Sequence, residues 1–287
     1  MPRAPRGASA SDPWPPPALL ERLRSETPER TPTLGIVLGS GLGLLADALD
    51  RPIAFSAADL PGYPVSTVPG HEGRLISGFL SGRAVWVVQG RVHLYEGHTA
   101  EIVTRPVRLL AALGVETLIL TNAAGSLDPS APPGSICLDE DALNLFWRPL
   151  ATPAPNALYQ GGLWSRRGPL VEPWLAQLAF DAAGECGVEL RRGVLGASSG
   201  PTYETAAEVR AWRSLGATVA SMSTVPEALV ARELGLRLLI FSLVTNLGTG
   251  LSPTPLSHDE VTTAANEAGG RLGRLIAAIV AKLPGNQ

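Results

Sequence analysis

The feature that most constrains the fold is an alternation of short apolar runs with helical segments along nearly the whole chain. Apolar and extended runs predict strands at residues 34–38, 74–80, 84–89, 115–120, 218–221 and 236–245. Helical periodicity predicts helices at residues 18–26, 103–113, 173–186, 204–214, from 226 onwards and at 258–282. Such alternation is typical of an α/β domain whose sheet is covered by helices on both faces. We predict a single domain over residues 18–287, after a disordered or extended tail over residues 1–17.

Composition and charge exclude several classes of protein. The 287 residues can bury a large core without a disulfide, and the net charge of −3 argues against a broad grip on nucleic acid or an anionic membrane. The longest strongly apolar stretch, Leu238–Val244, is too short to span a bilayer. Cys137 and Cys186 lack any CxxC spacing, and the N-terminus lacks the apolar run of a signal peptide. We therefore expect a cytoplasmic protein with no nucleic-acid or membrane partner.

A glycine loop at residues 39–43 follows the first predicted strand and precedes a helical stretch. Such a loop lets backbone N–H groups approach an anion, and Ser40 adds a hydroxyl. It is not the dinucleotide fingerprint, because Leu44 stands where the last glycine is required, and no Gly-Lys-Ser/Thr follows for a P-loop. The loop is either an anion site or a tight turn that needs small residues.

Arg91, His93 and Tyr95 alternate within the segment 90–97. If this segment is extended, the three side chains lie on one face and form a site for an oxyanion and a polar ligand. Glu96 could orient a histidine from behind. The alternative is an exposed strand with a solvated face.

His71 lies in a turn before this segment, close in sequence to His93 and His98. A metal cluster is the rival interpretation of these histidines. The spacing contains no His-x-His pair or carboxylate-flanked ligand pattern, so we predict no metal. Taken alone, His71 is equally typical of a surface turn.

Glu204 lies in a turn that leads into a predicted helix, next to Tyr203. An ionised carboxylate only accepts hydrogen bonds, so it suits a ligand edge that donates, such as a purine N1–H. Tyr203 could pack on a sugar or a base. The alternative for Glu204 is a capping role at the start of the helix.

Further polar residues lie where elements are predicted to begin or end. Asn122 and Asn246 end predicted strands, and ligands in α/β folds collect at the carboxyl ends of strands. Ser223 precedes one helix and His258 begins the last one. For these two, a helix cap and an exposed helix start are the alternatives.

At these residues the chain resembles the trimeric, low-molecular-mass class of purine nucleoside phosphorylases. The matching stretches run in the family's order from about residue 34 to 262: GIVLGSGLG, STVPGHEGRL, GRVHLYEGH, TNAAGSL, GPTYET, MSTVPEALVAR, VTN and LSPTPLSHDEV. The resemblance implies a central mixed β-sheet, partly barrel-like, surrounded by helices. It also implies a homotrimer that phosphorolyses purine (deoxy)ribonucleosides reversibly in purine salvage, with inorganic phosphate as co-substrate and no cofactor.

The resemblance also implies a role for each matching residue. Phosphate would be held by Ser40, His71, Arg91, His93, Ser223 and the backbone of Ala123. Ribose would be lined by Tyr95, Tyr203, Met222 and His258, and the purine would be held by Glu204 and Asn246. Catalysis would fall to His93, Glu204 and Asn246. Adenosine-type relatives tend to carry Asp at the position of Asn246, so the asparagine favours 6-oxopurines such as inosine and guanosine.

Several positions depart from the family's pattern. Ser221 replaces a usual Gly beside the base pocket, Ala142 a usual His and Leu195 a usual Tyr, and residues 148–170 do not match. In relatives this last region sends an aromatic residue into the neighbouring subunit's site, a role open to Tyr159 or Trp164. Three alternatives stay open: a 5′-methylthioadenosine phosphorylase, which shares the fold, a catalytically weak nucleoside-binding homologue, which the departures allow, and a phosphate-independent nucleosidase.

Overall fold

The computed structural model describes residues 14–39, 42–67, 73–146, 168–251 and 258–284. The strands are β1 Leu34–Leu38, β2 Asp50–Ser56, β3 Arg74–Leu80, β4 Arg83–Gln89, β5 Thr117–Ser126, β6 Ile136–Asn144, β7 Leu190–Ala197, β8 Val219–Ser221 and β9 Arg237–Leu247. The helices are α1 Pro17–Glu26, α2 Leu44–Asp47, α3 Ala100–Val103, α4 Arg105–Ala112, α5 Pro173–Glu185, α6 Ala206–Ser214, α7 Val225–Glu233 and α8 His258–Lys282.

All nine of these strands form one mixed sheet in the order β2-β3-β4-β1-β5-β8-β7-β6-β9. β5 also pairs with β9, so β5, β8, β7, β6 and β9 close into a five-stranded barrel. Parallel pairing joins β4 to β1, β1 to β5 and β5 to β9, whereas β2 and β3 form an antiparallel edge beside β4. The α/β class and the partly barrel-like mixed sheet are confirmed.

The central strands are largely buried because helices cover them. β1 is buried along its whole length, and Leu118, Ile119 and Phe241 have no exposed surface. On β9, α8 and α7 both make contacts, while α5 packs on α8 and α4 packs on α7. Parallel strands covered in this way become continuous hydrophobic runs, which is why they could be recognised from the sequence.

Three strands were not predicted, and each has a physical reason to be inconspicuous. β2 is an exposed edge strand that pairs only with β3 and contains Pro52. β6 and β7 are barrel strands in which charged residues follow one another, as in the pairs Glu140-Asp141 and Arg191-Arg192. Neither strand has the plain apolar run or the strict alternation that marks strands in a sequence.

The predicted tail, residues 1–17, lies partly outside the described residues. Its last part is held against the domain: Trp14 Nε1 donates to the carbonyl of Pro61 at 3.2 Å, and the Arg105 guanidinium lies over the indole ring. Helix α1 begins at Pro17, where a missing N–H costs nothing because the first helical N–H groups have no partner within the helix.

Candidate functional site

Polar residues gather just beyond the ends of β1 and β4, beside the middle of β5. The glycine loop begins there: Gly39 N–H donates to Thr121 Oγ1 at 2.9 Å, and a Cβ on residue 39 would lie 2.7 Å from Asn122 Cα. A side chain at this position would collide with the backbone of β5, so the close approach requires glycine. Ser40 and His71, both predicted to hold phosphate, lie outside the described residues.

Arg91 is a buried cation at the end of β4, with 5% of its surface exposed. Its Nε lies 2.8 Å from Glu227 Oε2, and its Nη1 donates to the Thr121 carbonyl at 2.8 Å. Glu227 is 1% exposed, at the start of α7. Its buried carboxylate compensates the arginine charge and orients the guanidinium. Sequence reasoning missed Glu227; the signal was a carboxylate in the first turn of a helix that follows the serine loop.

The prediction that Arg91, His93 and Tyr95 share one face of an extended segment is wrong. Residues Leu94–Glu96 form a 3₁₀ turn, closed when Glu96 Oε1 accepts the His93 backbone N–H at 2.7 Å and ended by Gly97 at φ 90°. Arg91 reaches inward to Glu227, while the His93 and Tyr95 rings stack 4.7 Å apart, 13° from parallel.

Glu96 orients His93, as the sequence suggested. Its Oε1 lies 3.1 Å from His93 Nδ1, and its Oε2 accepts from the backbone and hydroxyl of Thr67, each at 2.8 Å. Burial pushes the pKa of Glu96 upward, but the hydrogen bonds from Thr67 and His93 outweigh it and lower this pKa to about 2. The carboxylate therefore stays ionised and holds the imidazole in one orientation.

Two of the predicted ribose residues, Tyr95 and Met222, meet around Gly200. A Cβ on Gly200, which has φ 61°, would contact the Met222 sulfur and lie 3.2 Å from Tyr95 Cδ1. Burial raises the pKa of Tyr95, and the nearby Glu96 and Tyr203 raise it further. Tyr203 is 53% exposed at the rim. For His258, the backbone begins α8, but its side chain lies outside the described residues.

A line of hydroxyls lies between β8 and α7. Ser221 Oγ lies 3.3 Å from both the Ala123 carbonyl oxygen and Ser223 Oγ, and Ser223 Oγ lies 3.2 Å from Thr224 Oγ1. No side chain caps α7, so the capping alternative for Ser223 does not hold. Through Ser221, this line links the Ser223 hydroxyl to the Ala123 carbonyl, two groups that the resemblance assigns to the phosphate.

Glu204 lies just before α6 and does not cap it. Thr205 and Glu208 form the capping box instead, through a Thr205 Oγ1 that accepts the Glu208 N–H and a Glu208 carboxylate that accepts the Thr205 N–H. Burial raises the pKa of Glu204, and a hydrogen bond from Ser198 Oγ, 3.4 Å from Oε1, opposes this. Glu204 is thus a half-buried carboxylate that does not cap the helix after it.

Asn246 lies near the C-terminal end of β9, next to Gly125. A Cβ on Gly125 would lie 3.1 Å from Asn246 Nδ2, so glycine leaves room for the amide. Thr245 Oγ1 donates to Asn246 Oδ1 at 2.9 Å, and Nδ2 donates to the Leu247 carbonyl at 3.0 Å. An amide nitrogen carries two protons, so a second donor remains for a ligand.

The expectation that Asn122 ends a strand at the ligand site is wrong. Asn122 lies in the middle of β5, and its Oδ1 accepts from the Ser242 hydroxyl at 2.9 Å inside the barrel. The same hydroxyl lies 2.6 Å from Asp139 Oδ2. Asn122 therefore belongs to a buried polar network beneath the site.

Within the described residues, no group of three or more His, Cys, Asp or Glu side chains could hold a metal ion. None of the described helices is both long and apolar enough to cross a membrane. Ala142 and Leu195, two departures from the family's pattern, face each other across β6 and β7. Most of the divergent segment, with Tyr159 and Trp164, lies outside the described residues.

Comparison with known proteins agrees with this geometry. The model of the phosphorylase superfamily matches residues 33–281. Purine nucleoside phosphorylase 1 of Geobacillus stearothermophilus is 42% identical over 257 residues, which cover 89% of this chain and 93% of that protein. The structure of Schistosoma mansoni purine nucleoside phosphorylase with inosine has a TM-score of 0.80 at 30% identity, and covers 94% of this chain and 96% of its own. The same enzyme with adenosine also gives 0.80, at 31% identity. The chain therefore belongs to the phosphorylase superfamily and, within it, to the family of the purine nucleoside phosphorylases.

Proposed function

We propose that the chain catalyses the reversible phosphorolysis of purine ribonucleosides and deoxyribonucleosides, to free purine and (deoxy)ribose 1-phosphate. One observation carries the proposal: the residues that we assign to the anion and those that we assign to the purine lie next to each other. The Ser198 N–H donates to the Ser221 carbonyl at 3.2 Å, which joins the strand end beside Glu204 to the hydroxyls beside Ala123. A nucleoside and a phosphate ion bound here would meet at the glycosidic bond.

The phosphate half consists of Arg91, His93, Ser223 and the Ala123 backbone, joined by Ser40 and His71. A phosphate oxygen attacks C1′ of the ribose as the C1′–N9 bond breaks, and the bonding electron pair leaves with the purine. Positive charge develops on the sugar in this step, so the phosphate serves as nucleophile and as counter-charge. The buried pair of Arg91 and Glu227 keeps the guanidinium oriented before phosphate arrives.

The purine half reads the base edge and stabilises it as it leaves. Glu204, as an ionised carboxylate, accepts the N1–H, and the second Nδ2 proton of Asn246 donates to N7 while negative charge develops on the ring. Tyr95, Tyr203, Met222 and His258 line the ribose. Turnover consequently depends on Asn246 more than nucleoside binding does, because its hydrogen bond strengthens in the transition state.

The preferred bases are 6-oxopurines such as hypoxanthine and guanine. The support is the asparagine at position 246, because the remaining amide proton can be donated to N7 or to O6 of an oxopurine, whereas a carboxylate there would accept from the amino group of adenine. Thr245 keeps the donor side available by donating its own hydroxyl proton to Asn246 Oδ1.

We also propose a cytoplasmic homotrimer that uses inorganic phosphate as co-substrate and no other cofactor. The resemblance to the trimeric class supports the assembly, and a sizing column with light scattering tests it. Two free thiols, a buried Cys137 and a partly exposed Cys186, fit a reducing compartment.

The test is base release from inosine, guanosine, adenosine and 5′-methylthioadenosine, each with and without phosphate. We expect phosphate-dependent release from inosine and guanosine, with slower release from adenosine. Activity on 5′-methylthioadenosine without activity on inosine would replace the proposal with the methylthioadenosine enzyme. Release that needs no phosphate would indicate a nucleosidase, and no release from any of the four would indicate a binding protein.

A further inference from the structure

Ser221 stands between two groups of the proposed phosphate site. It is the last residue of β8 and is 7% exposed, and its Oγ lies 3.3 Å from Ser223 Oγ and 3.3 Å from the Ala123 carbonyl oxygen. The chain departs here from the usual glycine, so a hydroxyl has been added at a point where the two phosphate-contacting segments come together.

The backbone of Ser221 is held on both sides, whereas Ser223 lies beyond the end of the strand. Ser221 pairs with Ala197 of β7, and its carbonyl accepts the Ser198 N–H at 3.2 Å. Its neighbour Ala220 pairs with Gly125 of β5. The Ser221 hydroxyl is therefore a rigidly mounted group, able to restrict the rotamer of the Ser223 side chain next to it.

The role of the contact between the Ser221 and Ser223 hydroxyls follows from the number of protons that they can donate. Ser223 has one hydroxyl proton, and when that proton is donated to a phosphate oxygen, the lone pairs of Ser223 Oγ must accept from elsewhere. Two hydroxyls are in place to donate to it: Ser221 on one side and Thr224, at 3.2 Å, on the other. A hydroxyl that accepts such a bond becomes a stronger donor in turn.

We propose that Ser221 is a positioning residue for phosphate: its hydroxyl holds Ser223 Oγ so that the Ser223 proton is directed to the bound anion. On arrival of phosphate, the Ser221 proton turns from the Ala123 carbonyl to Ser223 Oγ. The inference rests on the proposed function, because it assigns phosphate to Ser223. It makes the added serine a determinant of phosphate affinity and not of nucleoside affinity.

The experiment measures KM for phosphate at saturating inosine, and KM for inosine at saturating phosphate. Ser221→Ala and Ser221→Gly are compared with wild type. The glycine variant is included because glycine is usual at this position in the family, so the fold is compatible with it. We expect KM for phosphate to rise by about 2- to 10-fold in both, the effect of one ordinary hydrogen bond, with KM for inosine unchanged. Ser221→Thr, which keeps the hydroxyl, should restore the wild-type KM for phosphate.

Ser198→Ala is the matched control, because Ser198 is also a serine at a neighbouring strand end but contacts Glu204 and not Ser223. It should raise KM for inosine and leave KM for phosphate unchanged. The inference is overturned if wild type depends on phosphate while both Ser221 variants keep its KM for phosphate, or if both KM values rise together. If wild type releases base without phosphate, the proposed function itself has failed, and the inference fails with it.

Discussion

The Ser242 hydroxyl lies 2.6 Å from Asp139 Oδ2 and 2.9 Å from Asn122 Oδ1, and so links β9 to β6 and β5. One hydroxyl proton cannot be donated to two acceptor oxygens, and a proton on Asp139 Oδ2, donated to Ser242 Oγ, satisfies both contacts. Asp139 has no exposed surface, and burial raises its pKa to about 8 despite the hydrogen bond with Ser242. Gly193 makes room for the carboxyl, because a Cβ there would contact Asp139 Oδ1.

Asp139→Asn should flatten the pH dependence of folding stability. The pKa of Asp139 is higher in the folded chain than the ordinary 3.8, so between about pH 4 and pH 8 the folded state keeps a proton that the unfolded state has lost. The free energy of unfolding therefore falls with rising pH in this window, by up to about 1.4 kcal/mol per unit. Urea unfolding from pH 5 to 8 measures the slope.

The free energy of unfolding of Asp139→Asn should therefore rise relative to that of wild type as the pH increases toward 8. The exposed Asp59→Asn control should keep the wild-type slope. Cys137, two residues away on the same strand, interacts electrostatically with Asp139, and burial raises the pKa of its thiol to about 12, beyond this window. Parallel slopes for wild type and Asp139→Asn would mean that the carboxyl is ionised in the folded chain.

Glu227→Ala should destabilise the chain strongly, because it leaves the buried Arg91 guanidinium without its counter-ion. Removing one partner of a buried ion pair costs about 3–5 kcal/mol, which urea unfolding can resolve. Glu227→Gln keeps an acceptor oxygen and should cost less. In the exposed pair of Arg237 and Glu116, Glu116→Ala should change stability by less than about 1 kcal/mol. Equal effects of Glu227→Ala and Glu116→Ala would contradict the role given to burial.

Glu96→Gln should weaken the chain at neutral pH and remove part of its acid sensitivity. The folded pKa of Glu96, about 2, lies below the ordinary 4.5, so its stabilising contribution is present above pH 4.5 and is lost as the pH falls toward 2. Acid unfolding curves of the variant and wild type should therefore converge toward pH 2. Glu101→Gln, at an exposed glutamate, is the control and should follow wild type. A gap that stays constant from pH 6 to pH 2 would show that Glu96 acts through packing alone.

Asn246→Asp should shift preference toward adenosine. The amide donor to N7 or O6 is replaced by a carboxylate that accepts from the adenine amino group, so the ratio of kcat/KM for inosine to that for adenosine should fall by about tenfold or more, equivalent to about 1.4 kcal/mol. Asn144→Asp, at an exposed asparagine on the end of β6, is the control for added charge. An unchanged ratio in Asn246→Asp would remove Asn246 from base selection.

The parts of the fold that the sequence predicts are those with an uninterrupted apolar signal. β1 was predicted with its observed bounds, Leu34–Leu38, because a covered parallel strand is apolar on both faces. The barrel strand β6 could not be predicted because it carries the buried Asp139 next to more exposed acidic residues. The Asp139 carboxyl contacts the Ser242 hydroxyl, a partner that lies far away along the chain.

The same limit applies to the site. The sequence could bring His93 and Glu96 together, because a contact three residues apart is local. It could not find Glu227 behind Arg91, since that pair joins residues 136 positions apart and exists only once α7 packs under the sheet. The expectation of an extended segment, which rested on alternating side chains, also failed at Leu94–Glu96. There the Glu96 carboxylate accepts the His93 backbone N–H, and this local hydrogen bond closes a turn in place of a strand.

The most direct test of the central claim is product identification with inosine as substrate. Inosine and phosphate are incubated with the full chain, and hypoxanthine, ribose 1-phosphate and free ribose are quantified together over time. Phosphorolysis at the proposed site for phosphate and purine predicts hypoxanthine and ribose 1-phosphate in equal amounts, with no base released when phosphate is left out. Free ribose in place of ribose 1-phosphate would contradict the account.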